Sequence, residues 1–590
     1  MSWIGKLAPS PNFSARPLAW FRARFRASEV WFIGLAIGVG TAAGLLTVFQ
    51  SSIAHQMQSI LFGFTESDRL STLDAVPRHA LLWLPAGGLL LGLFVWALDR
   101  WRRRPLVDVV EANALYGGRL SLRDSMIVCL QTIISNGFGA SVGLEAAYAQ
   151  AGGVVASVLG QRLKLRRQDI RTLVGAGAGA AIGAAFGAPL TGAFYAFEIV
   201  IGSYAPSMIA PVAAATLASE LTAHALGAVP YSIDIAVVTP PAVVHYFIFG
   251  CLGAICAMFG IFIMRLVTLT ERALRRANPP LWLRPALGGC LLMVLAYISP
   301  QTLSSGHGAL HVDLAAGLGI VALVMLLVLK TSASVISLGF GFRGGLFFAS
   351  LFLGSLLGQL YAHLIALTGL PIELRPENAA LVGMGALAVS VVGGPLTMSF
   401  LVLETTRDFG VTAATLAASL IASMMVRERF GYSFSTWRLH LRGETIRSAR
   451  DIGWVRTLTA GRMMRPDLPT VSEQTTIAEF RRRFPLGSST RVILVDDASR
   501  YAGIVDVASA YMEGREAAEP VSVIAASRDV TLSPDVNIEQ IMQIFDQTET
   551  EELAVVDGDR KVLGLIAEAY VSRRYAKELE KVQEGLFGRD

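Results

Sequence analysis

The run VWFIGLAIGVGTAAGLLTVF, from Val30 to Phe49, holds twenty residues without a single charged side chain. A helix of about twenty apolar residues matches the hydrocarbon thickness of a bilayer, so this run predicts a membrane-spanning helix. Comparable runs continue to about Arg427, and the whole chain is 53% hydrophobic and only 16% charged. Soluble domains carry about 25% charged residues. We therefore predict a multi-pass α-helical membrane protein.

The charge distribution changes near Arg442, after which charged residues are frequent and no run could cross a bilayer. On this basis we divide the chain into an N-terminal segment (1–28), a membrane domain (29–440), a linker (441–457), a soluble tail (458–580) and a terminal extension (581–590). Basic clusters, such as residues 100–104, flank the apolar runs and mark cytoplasmic sides. We therefore expect both termini to be cytoplasmic, in a plasma or bacterial inner membrane. Arginines that only snorkel from helix ends would predict the same sidedness less strongly.

Two motifs occur twice in the membrane domain. SNGFGASVGLEAA, starting at Ser135, matches SLGFGFRGGLFFA, starting at Ser337, at an offset of 202 residues. GAPLTGAFYAFE (187–198) matches GGPLTMSFLVLE (393–404) at an offset of 206 residues. The two pairs predict a duplicated unit, about 29–228 and 240–432, and such duplication is typical of transporters whose substrate binds between the repeats. The alternative is chance similarity between glycine-rich helices.

The soluble tail also repeats, at an offset of 61 residues. Each copy has a helical segment (TIAEFRRRF, NIEQIMQIF), a buried strand (RVILVDD, ELAVVDG) and a turn followed by a second strand. Apolar runs of this length next to amphipathic segments indicate an α/β unit. We therefore predict one compact module of two copies, 458–515 and 516–580.

The repeated membrane segments place glycines where a helix would begin. A helix N-terminus carries unpaired N–H groups and a partial positive charge, and glycine lets another group approach the backbone closely. Two such ends meeting within the membrane would form an anion site. The alternative is that the glycines only permit close packing of helices.

Glu145 is the one carboxylate in the stretch SNGFGASVGLEAAYAQAGG. An ionisable residue inside a membrane is costly and is by default a functional candidate. Beside an anion site, its carboxylate could occupy the site as a tethered anion, and protonation would release it. We therefore predict a gate coupled to proton binding. The alternative is a structural carboxylate whose hydrogen bonds are satisfied.

These residues resemble the CLC chloride channel and transporter family, with paired CBS domains at the C-terminus. GLEAA resembles the family segment GREGP, which makes Glu145 the gating glutamate. GGLFFA resembles GGIFAP, and FGYSF lies where the family has a tyrosine ligand, which suggests Tyr432. The resemblance implies inverted repeats with re-entrant helix ends, a cytoplasmic α/β CBS pair and a homodimer. It implies an anion held at six positions: Gly143, Leu144, Gly345, Leu346, Phe347 and Phe348.

The chain also departs from the family pattern. The family motif GSGIP supplies a serine ligand, but residues 102–106 read RRRPL and contain none. Arg343 stands where the family usually has proline, and it could bind the anion, pair with Glu145 or face a vestibule. Family exchangers carry a second, inner glutamate directly after the first glutamate of the APL helix. Here that second carboxylate candidate, Glu198, is followed by Ile199.

The sequence therefore predicts CLC-type transport of chloride or another small anion, either as a passive channel or with protons as the exchanged partner. A CBS-regulated cation or magnesium channel, or another secondary transporter, is the alternative. No metal-ligand cluster or catalytic triad is found among the motifs, so we expect neither an enzyme nor a cofactor. An adenine nucleotide at the CBS pair is a weaker expectation, because GIVDVAS and GLIAEAY lack the hydroxyl and the final aspartate of the usual motif.

Overall fold

The computed structural model describes residues 28–65, 68–101, 106–228, 243–369, 371, 373–434, 436–437, 458–466, 468–512, 514–548 and 550–574. The chain forms two units, Met1–Asp451 and Ile452–Asp590. The first unit contains helices, and the second contains short strands and helices.

The first unit has sixteen α-helices among its described residues. They are α1 Glu29–Phe62, α2 Trp83–Trp101, α3 Val109–Leu115, α4 Leu122–Gly137, α5 Glu145–Arg162, α6 Arg167–Phe186, α7 Pro189–Tyr195, α8 Pro206–Ala225, α9 Val243–Ala277, α10 Arg284–Ile298, α11 His307–Ala316, α12 Ile320–Gly339, α13 Phe347–Leu367, α14 Pro376–Val392, α15 Pro395–Thr406 and α16 Phe409–Arg429. A π-helical turn, Ala196–Ile201, continues α7. Within the described residues, six helices are long and apolar enough to cross a membrane: α1, α2, α9, α12, α13 and α16.

The duplication predicted from the sequence is visible in the packing of glycines. Gly152 on α5 lies against Gly177 on α6, where an added Cβ would overlap the Gly177 carbonyl oxygen. Gly354 on α13 lies in the same way against the carbonyl of Gly383 on α14. These pairs keep the offsets of 202 and 206 residues found in the sequence. Helices α4–α8 and α12–α16 therefore form two equivalent units, and small residues set their close packing.

The two repeats exchange helix caps. Glu198, in the π-helical turn, accepts hydrogen bonds from the backbone N–H of Leu396 (3.2 Å) and from the N–H (2.8 Å) and hydroxyl (2.7 Å) of Thr397 at the start of α15. Glu404, on α15, accepts the equivalent bonds from Leu190 N–H (2.8 Å) and from the N–H (2.8 Å) and hydroxyl (2.7 Å) of Thr191 on α7. Each carboxylate satisfies otherwise unpaired N–H groups of the other repeat. This reciprocity is expected of two units related by a pseudo-two-fold axis.

The second unit contains two three-stranded sheets of the same topology. The strands are β1 Thr470–Ser472, β2 Arg491–Val495, β3 Tyr501–Asp506, β4 Thr531–Leu532, β5 Glu552–Val556 and β6 Val562–Ala567, and the helices are α17 Ala460–Met463, α18 Ile477–Arg483 and α19 Ile538–Thr548. In each sheet the first strand pairs parallel with the second, which pairs antiparallel with the third. The irregularities at Leu494/Val495 and Val555/Val556 lie at equivalent positions, which confirms the repeat of 61 residues.

The core of each copy in the second unit includes a segment that lies outside that copy's predicted residue range. Ala460 and Met463 pack in the core of the second copy with Leu532 and Phe545. Val521, which follows the predicted boundary at 515–516, packs in the core of the first copy. The sequence repeat does not reveal this exchange, because the borrowed segments are short and carry no repeated motif. A third apolar cluster, which includes residues of β2, β3, β5 and β6, joins the two sheets.

Candidate functional site

The two glycine-rich segments meet. Gly143 donates its N–H to the carbonyl of Gly345 (2.9 Å), and Gly345 donates to the carbonyl of Gly143 (3.2 Å), as an isolated antiparallel bridge. Helices α5 and α13 begin two residues later, at Glu145 and Phe347. Two helix N-termini with their unpaired N–H groups are thereby held side by side in the interior of the first unit.

Serines fix this pairing symmetrically. Ser135 at the end of α4 accepts a hydrogen bond from the backbone N–H of Arg343 (2.9 Å). Ser337, its equivalent on α12, accepts one from the N–H of Ser141 (2.9 Å). The preceding helices end because Gly139 and Gly341 adopt φ values of 87° and 101°, which favour glycine. The motif SxGFG therefore both stops one helix and positions the start of the next.

Glu145 lies across this bridge. It is the first residue of α5 and is only 3% exposed. A Cβ added to Gly143 would overlap the Glu145 carboxylate, and a Cβ added to Gly345 would lie 3.7 Å from Oε2 of Glu145. Neither carboxylate oxygen has a hydrogen-bond partner among the residues that the structure describes. The structure therefore shows none of the satisfied hydrogen bonds that a purely structural carboxylate would have.

An aromatic cluster surrounds the start of α13. The ring of Phe186 lies 5.3 Å from that of Phe347 and 6.1 Å from that of Phe348, measured between centroids. His307 stacks on Phe348 at 3.5 Å, and Tyr195 lies 6.3 Å from Phe347. These rings place mainly apolar surface around the start of α13.

Two cavities approach the bridge. The first, which we call the Arg69 cavity, has a volume of about 270 Å³ and is lined by Arg69, Glu145, Tyr148 and His307 among others. The second, the Asp108 cavity, has a volume of about 330 Å³. Its polar lining side chains are Asp108, Gln131, Gln150, Tyr195 and Arg343, and the backbone of Gly344 and Gly345 also borders it. Glu145 lines the first cavity and Gly345, one residue of the bridge, lines the second, so the bridge lies where the two cavities approach each other.

Seven of the predicted site residues lie together around the bridge. They are Gly143, Leu144, Glu145, Gly345, Leu346, Phe347 and Phe348. Arg343 lines the Asp108 cavity together with Gly345, and its role stays a prediction. Residues 102–105, where the missing serine ligand was predicted, lie outside the described residues.

Two predicted residues lie elsewhere. Glu198 caps α15, and it borders a third cavity together with Tyr432, Arg427 and Ile199. The Tyr432 ring packs 5.5 Å from that of Trp437 after the turn at Gly431, and Tyr432 does not line the Asp108 cavity. Phe434, two residues later, lines that cavity instead and has no hydroxyl. The structure therefore gives no support to Tyr432 as the tyrosine ligand.

Three residues missed at the sequence level are notable. Asp108 caps α3 by accepting the N–H of Glu111 (2.7 Å), a signal readable as Asp-x-x-Glu before an apolar segment. Tyr195 lies three residues before Glu198 in the repeated motif GAPLTGAFYAFE, whose second copy has no tyrosine. Lys330 on α12 is 1% exposed and donates to the carbonyls of Gln301, Thr302, Leu303 and Ser304 at 2.8–3.4 Å. No sequence pattern indicated this buried cation.

The described residues contain no group of three His, Cys, Asp or Glu side chains that could hold a metal ion. The arrangement instead offers backbone N–H groups, one arginine and one buried carboxylate near two cavities. That chemistry suits a small anion.

Comparisons with known proteins agree with this geometry. The family model described as "Voltage gated chloride channel" matches residues 87–427, and the model described as "CBS domain" matches residues 521–577. A relative from Ralstonia nicotianae, named as a ClcB-like chloride channel protein, is 30% identical over 394 residues, which cover 65% of this chain and 90% of the relative. The ClcB channel of Yersinia pseudotuberculosis is 27% identical over 400 residues, 67% of this chain and 96% of its own.

Solved structures share the fold. A slow cyanobacterial Cl⁻/H⁺ antiporter superposes with a TM-score of 0.60 at 22% identity, covering 70% of this chain and 97% of its own. A eukaryotic CLC transporter superposes with a TM-score of 0.58 at 16% identity, covering 94% of this chain and 98% of its own. The predicted multi-pass CLC-type fold with a CBS tail is therefore confirmed. The chain is an integral membrane protein that belongs to the Voltage gated chloride channel family.

Proposed function

We propose that this protein exchanges chloride for protons across a bacterial inner membrane, with Glu145 as the gate. CLC-type anion transport follows from the family, and the cation-channel alternative is not favoured. The observation that carries the gate is the position of the Glu145 carboxylate: buried, lying over the Gly143–Gly345 bridge, and without a hydrogen-bond partner among the described residues.

The proposed mechanism is competition between two anions for one site. Ionised Glu145 occupies the site at the N-termini of α5 and α13, where N–H groups and helix dipoles stabilise negative charge. A chloride ion arriving from either cavity competes for the same donors, at the backbone of Gly143, Leu144, Gly345, Leu346, Phe347 and Phe348. Protonation removes the charge of Glu145, so the neutral side chain leaves the site and chloride binds. Alternation of these states couples the two fluxes.

Chloride is the proposed anion because the ClcB relatives are named as chloride channels and one neighbouring structure is a Cl⁻/H⁺ antiporter. A second structural neighbour is a fluoride/proton antiporter, at a TM-score of 0.53 and 20% identity, which makes fluoride the competing candidate. Arg343 and Gln131 line the Asp108 cavity and would supply donors in place of the family's serine and tyrosine.

A passive chloride channel is the second candidate function. Ile199 favours it, because this apolar residue stands where family exchangers carry an inner glutamate. In this version Glu145 opens and closes the path, but no proton crosses with each cycle.

The remaining organisation follows from the family and from the charge pattern. We propose a homodimer with one pathway in each subunit and with both termini in the cytoplasm. Asp108 follows the basic cluster at residues 100–104, which marks a cytoplasmic side, so we propose that the Asp108 cavity opens to the cytoplasm. The tail would be a CBS pair at about 458–515 and 516–580. An adenine nucleotide is its candidate ligand.

The test is simultaneous recording of chloride and proton movement from liposomes that contain the wild type or Glu145→Gln. Uphill proton movement driven by a chloride gradient is expected in the wild type, and the variant should pass chloride without protons and without pH dependence. Glu377→Gln is a matched control, because Glu377 also lies in the first turn of a helix, α14, but lines neither cavity. Chloride flux without proton movement in the wild type would refute exchange and support the channel. Unchanged pH dependence in Glu145→Gln would refute the gate.

A further inference from the structure

A proton that reaches Glu145 from the Asp108 cavity needs groups that can carry it. Glu198 is not suited to this task, because both of its carboxylate oxygens are engaged by N–H and hydroxyl donors of α15. Ile199, which follows it, has no ionisable group. Asp108 is the one carboxylate among the described residues that line the cavity on this side of the bridge.

Asp108 is held in place but keeps a free oxygen. Its Oδ1 accepts the N–H of Glu111 as the cap of α3, and no hydrogen bond joins Oδ2 to another described residue. The side chain is half-buried, so water in the cavity can reach it. Arg343, from the segment before α13, is the cation that lines the same cavity, and Glu111 is the nearest acidic neighbour on its own helix.

Tyr195 is a tyrosine close enough to both carboxylates to interact with each of them. It is 8% exposed, lines the Asp108 cavity and interacts electrostatically with both Asp108 and Glu145. No hydrogen bond joins its hydroxyl to another residue in the described part of the chain. A hydroxyl can accept a proton on its oxygen while it donates its own, and is therefore suited to a relay.

We propose that Asp108 and Tyr195 carry protons between the Asp108 cavity and Glu145, an inference that rests on the proposed exchange function. Asp108 takes a proton from water in the cavity. It passes this proton, directly or through cavity water, to the oxygen of Tyr195 as the Tyr195 hydroxyl proton moves to the Glu145 carboxylate. Tyr195 ends as the same neutral phenol, Asp108 is again ionised, and Glu145 is neutral. One proton has moved, and no other reactant is required.

The cavity has room for such a transfer. A water molecule in liquid occupies about 30 Å³. The Asp108 cavity of about 330 Å³ therefore accommodates a short chain of water molecules between Asp108 and the bridge. Chloride and protons would share the cavity but separate near Tyr195, where protons pass along hydroxyl and water while chloride passes along the backbone donors.

Asp108→Asn and Tyr195→Phe test the route. Asparagine caps a helix as well as aspartate does, so Asp108→Asn keeps the fold of α3 and removes only the titrating group. In liposomes with a chloride gradient, both variants are expected to pass chloride while proton uptake falls to the level of protein-free liposomes. Retained chloride flux also shows that each variant is folded.

The matched control for the aspartate is Asp408→Asn. Asp408 caps α16 in the same way, with its Oδ1 accepting the N–H of Val411 (2.7 Å), but it lines neither cavity. The matched control for Tyr195→Phe is Tyr361→Phe, because the Tyr361 hydroxyl donates to the carbonyl of Ile248 outside both cavities. Both controls should keep the wild-type ratio of protons to chloride.

The outcomes separate the two proposals. Wild-type proton coupling that persists in Asp108→Asn and Tyr195→Phe would overturn the route and leave the exchange function standing. A wild type that moves chloride but no protons would overturn the exchange function, and the route with it. Loss of coupling in both variants, with coupling kept in both controls, would establish the route.

Discussion

At the scale of single residues, the proposed anion site combines a buried carboxylate with an arginine that lines one of the two cavities. Glu145 lies between the two cavities without a hydrogen-bond partner among the described residues, whereas Arg343 lies on one side with its backbone N–H held by Ser135. A fixed arginine next to a backbone site raises the local concentration of anions without closing the path. The sequence left three roles open for Arg343, and its position in the Asp108 cavity favours direct attraction of the anion.

This position predicts that Arg343→Ala weakens chloride binding. Loss of one unit charge close to the site should lower the apparent chloride affinity by about tenfold, which corresponds to about 1.4 kcal/mol. The order of preference among halides and nitrate should change as well, because the remaining backbone donors select by fit more than by charge. Flux in liposomes over a series of chloride concentrations and anions measures both effects.

Two further variants complete that experiment. Arg343→Lys keeps the charge and should recover most of the chloride affinity. Arg78→Ala removes an arginine whose guanidinium packs on the ring of Tyr297, outside both cavities, and should leave selectivity unchanged. An anion series for Arg343→Ala identical to that of the wild type would assign Arg343 a structural role.

At the scale of elements, a glutamate of each repeat caps a helix of the other repeat. Glu198 and Glu404 bind the first N–H groups of α15 and α7, each in the other repeat. The sequence identified Glu198 as a second carboxylate but could not reveal this role, because its partners lie almost two hundred positions away and cap signals are recognised locally. The pseudo-symmetry explains why both motifs end in glutamate.

The cap role predicts that Glu198→Gln and Glu404→Gln have similar effects. Each change weakens hydrogen bonds to a charged acceptor, so each should lower the free energy of unfolding by about 2 kcal/mol. Thermal unfolding in detergent should show two comparable decreases, with Glu373→Gln on an exposed loop as the unaffected control. Proton coupling should survive in both variants. Selective loss of coupling in Glu198→Gln would instead make Glu198 a proton carrier.

The glycine motifs and the tail strands could be predicted from the sequence because their signals are local and occur twice. The bridge between Gly143 and Gly345 agrees with that prediction, and so do the equivalent irregularities in β2 and β5. The position of Tyr432 could not be predicted, since a short motif after a turning glycine does not fix which aromatic ring faces the cavity. Burial of Lys330 among four carbonyls likewise depends on tertiary packing alone.

At the scale of the whole molecule, the two units have separate cores. The bridge, both cavities and the exchanged caps all lie within the first unit. The Ralstonia relative matches 65% of this chain with 90% of its own length, which leaves it little chain for a comparable tail. Transport should therefore need only the first unit, and the tail would regulate it or stabilise the proposed homodimer.

A variant that unfolds the tail alone tests this division. Leu494 is 0% exposed in the core of the first copy, so Leu494→Asp buries an unpaired charge at a cost of several kcal/mol. Proteolysis should then cut the second unit while chloride flux and its dependence on Glu145 persist. Asp497→Ala, at an exposed position in the turn after β2, should change neither property. Loss of flux in Leu494→Asp, with the first unit still resistant to protease, would mean that the folded tail is required to open the pathway.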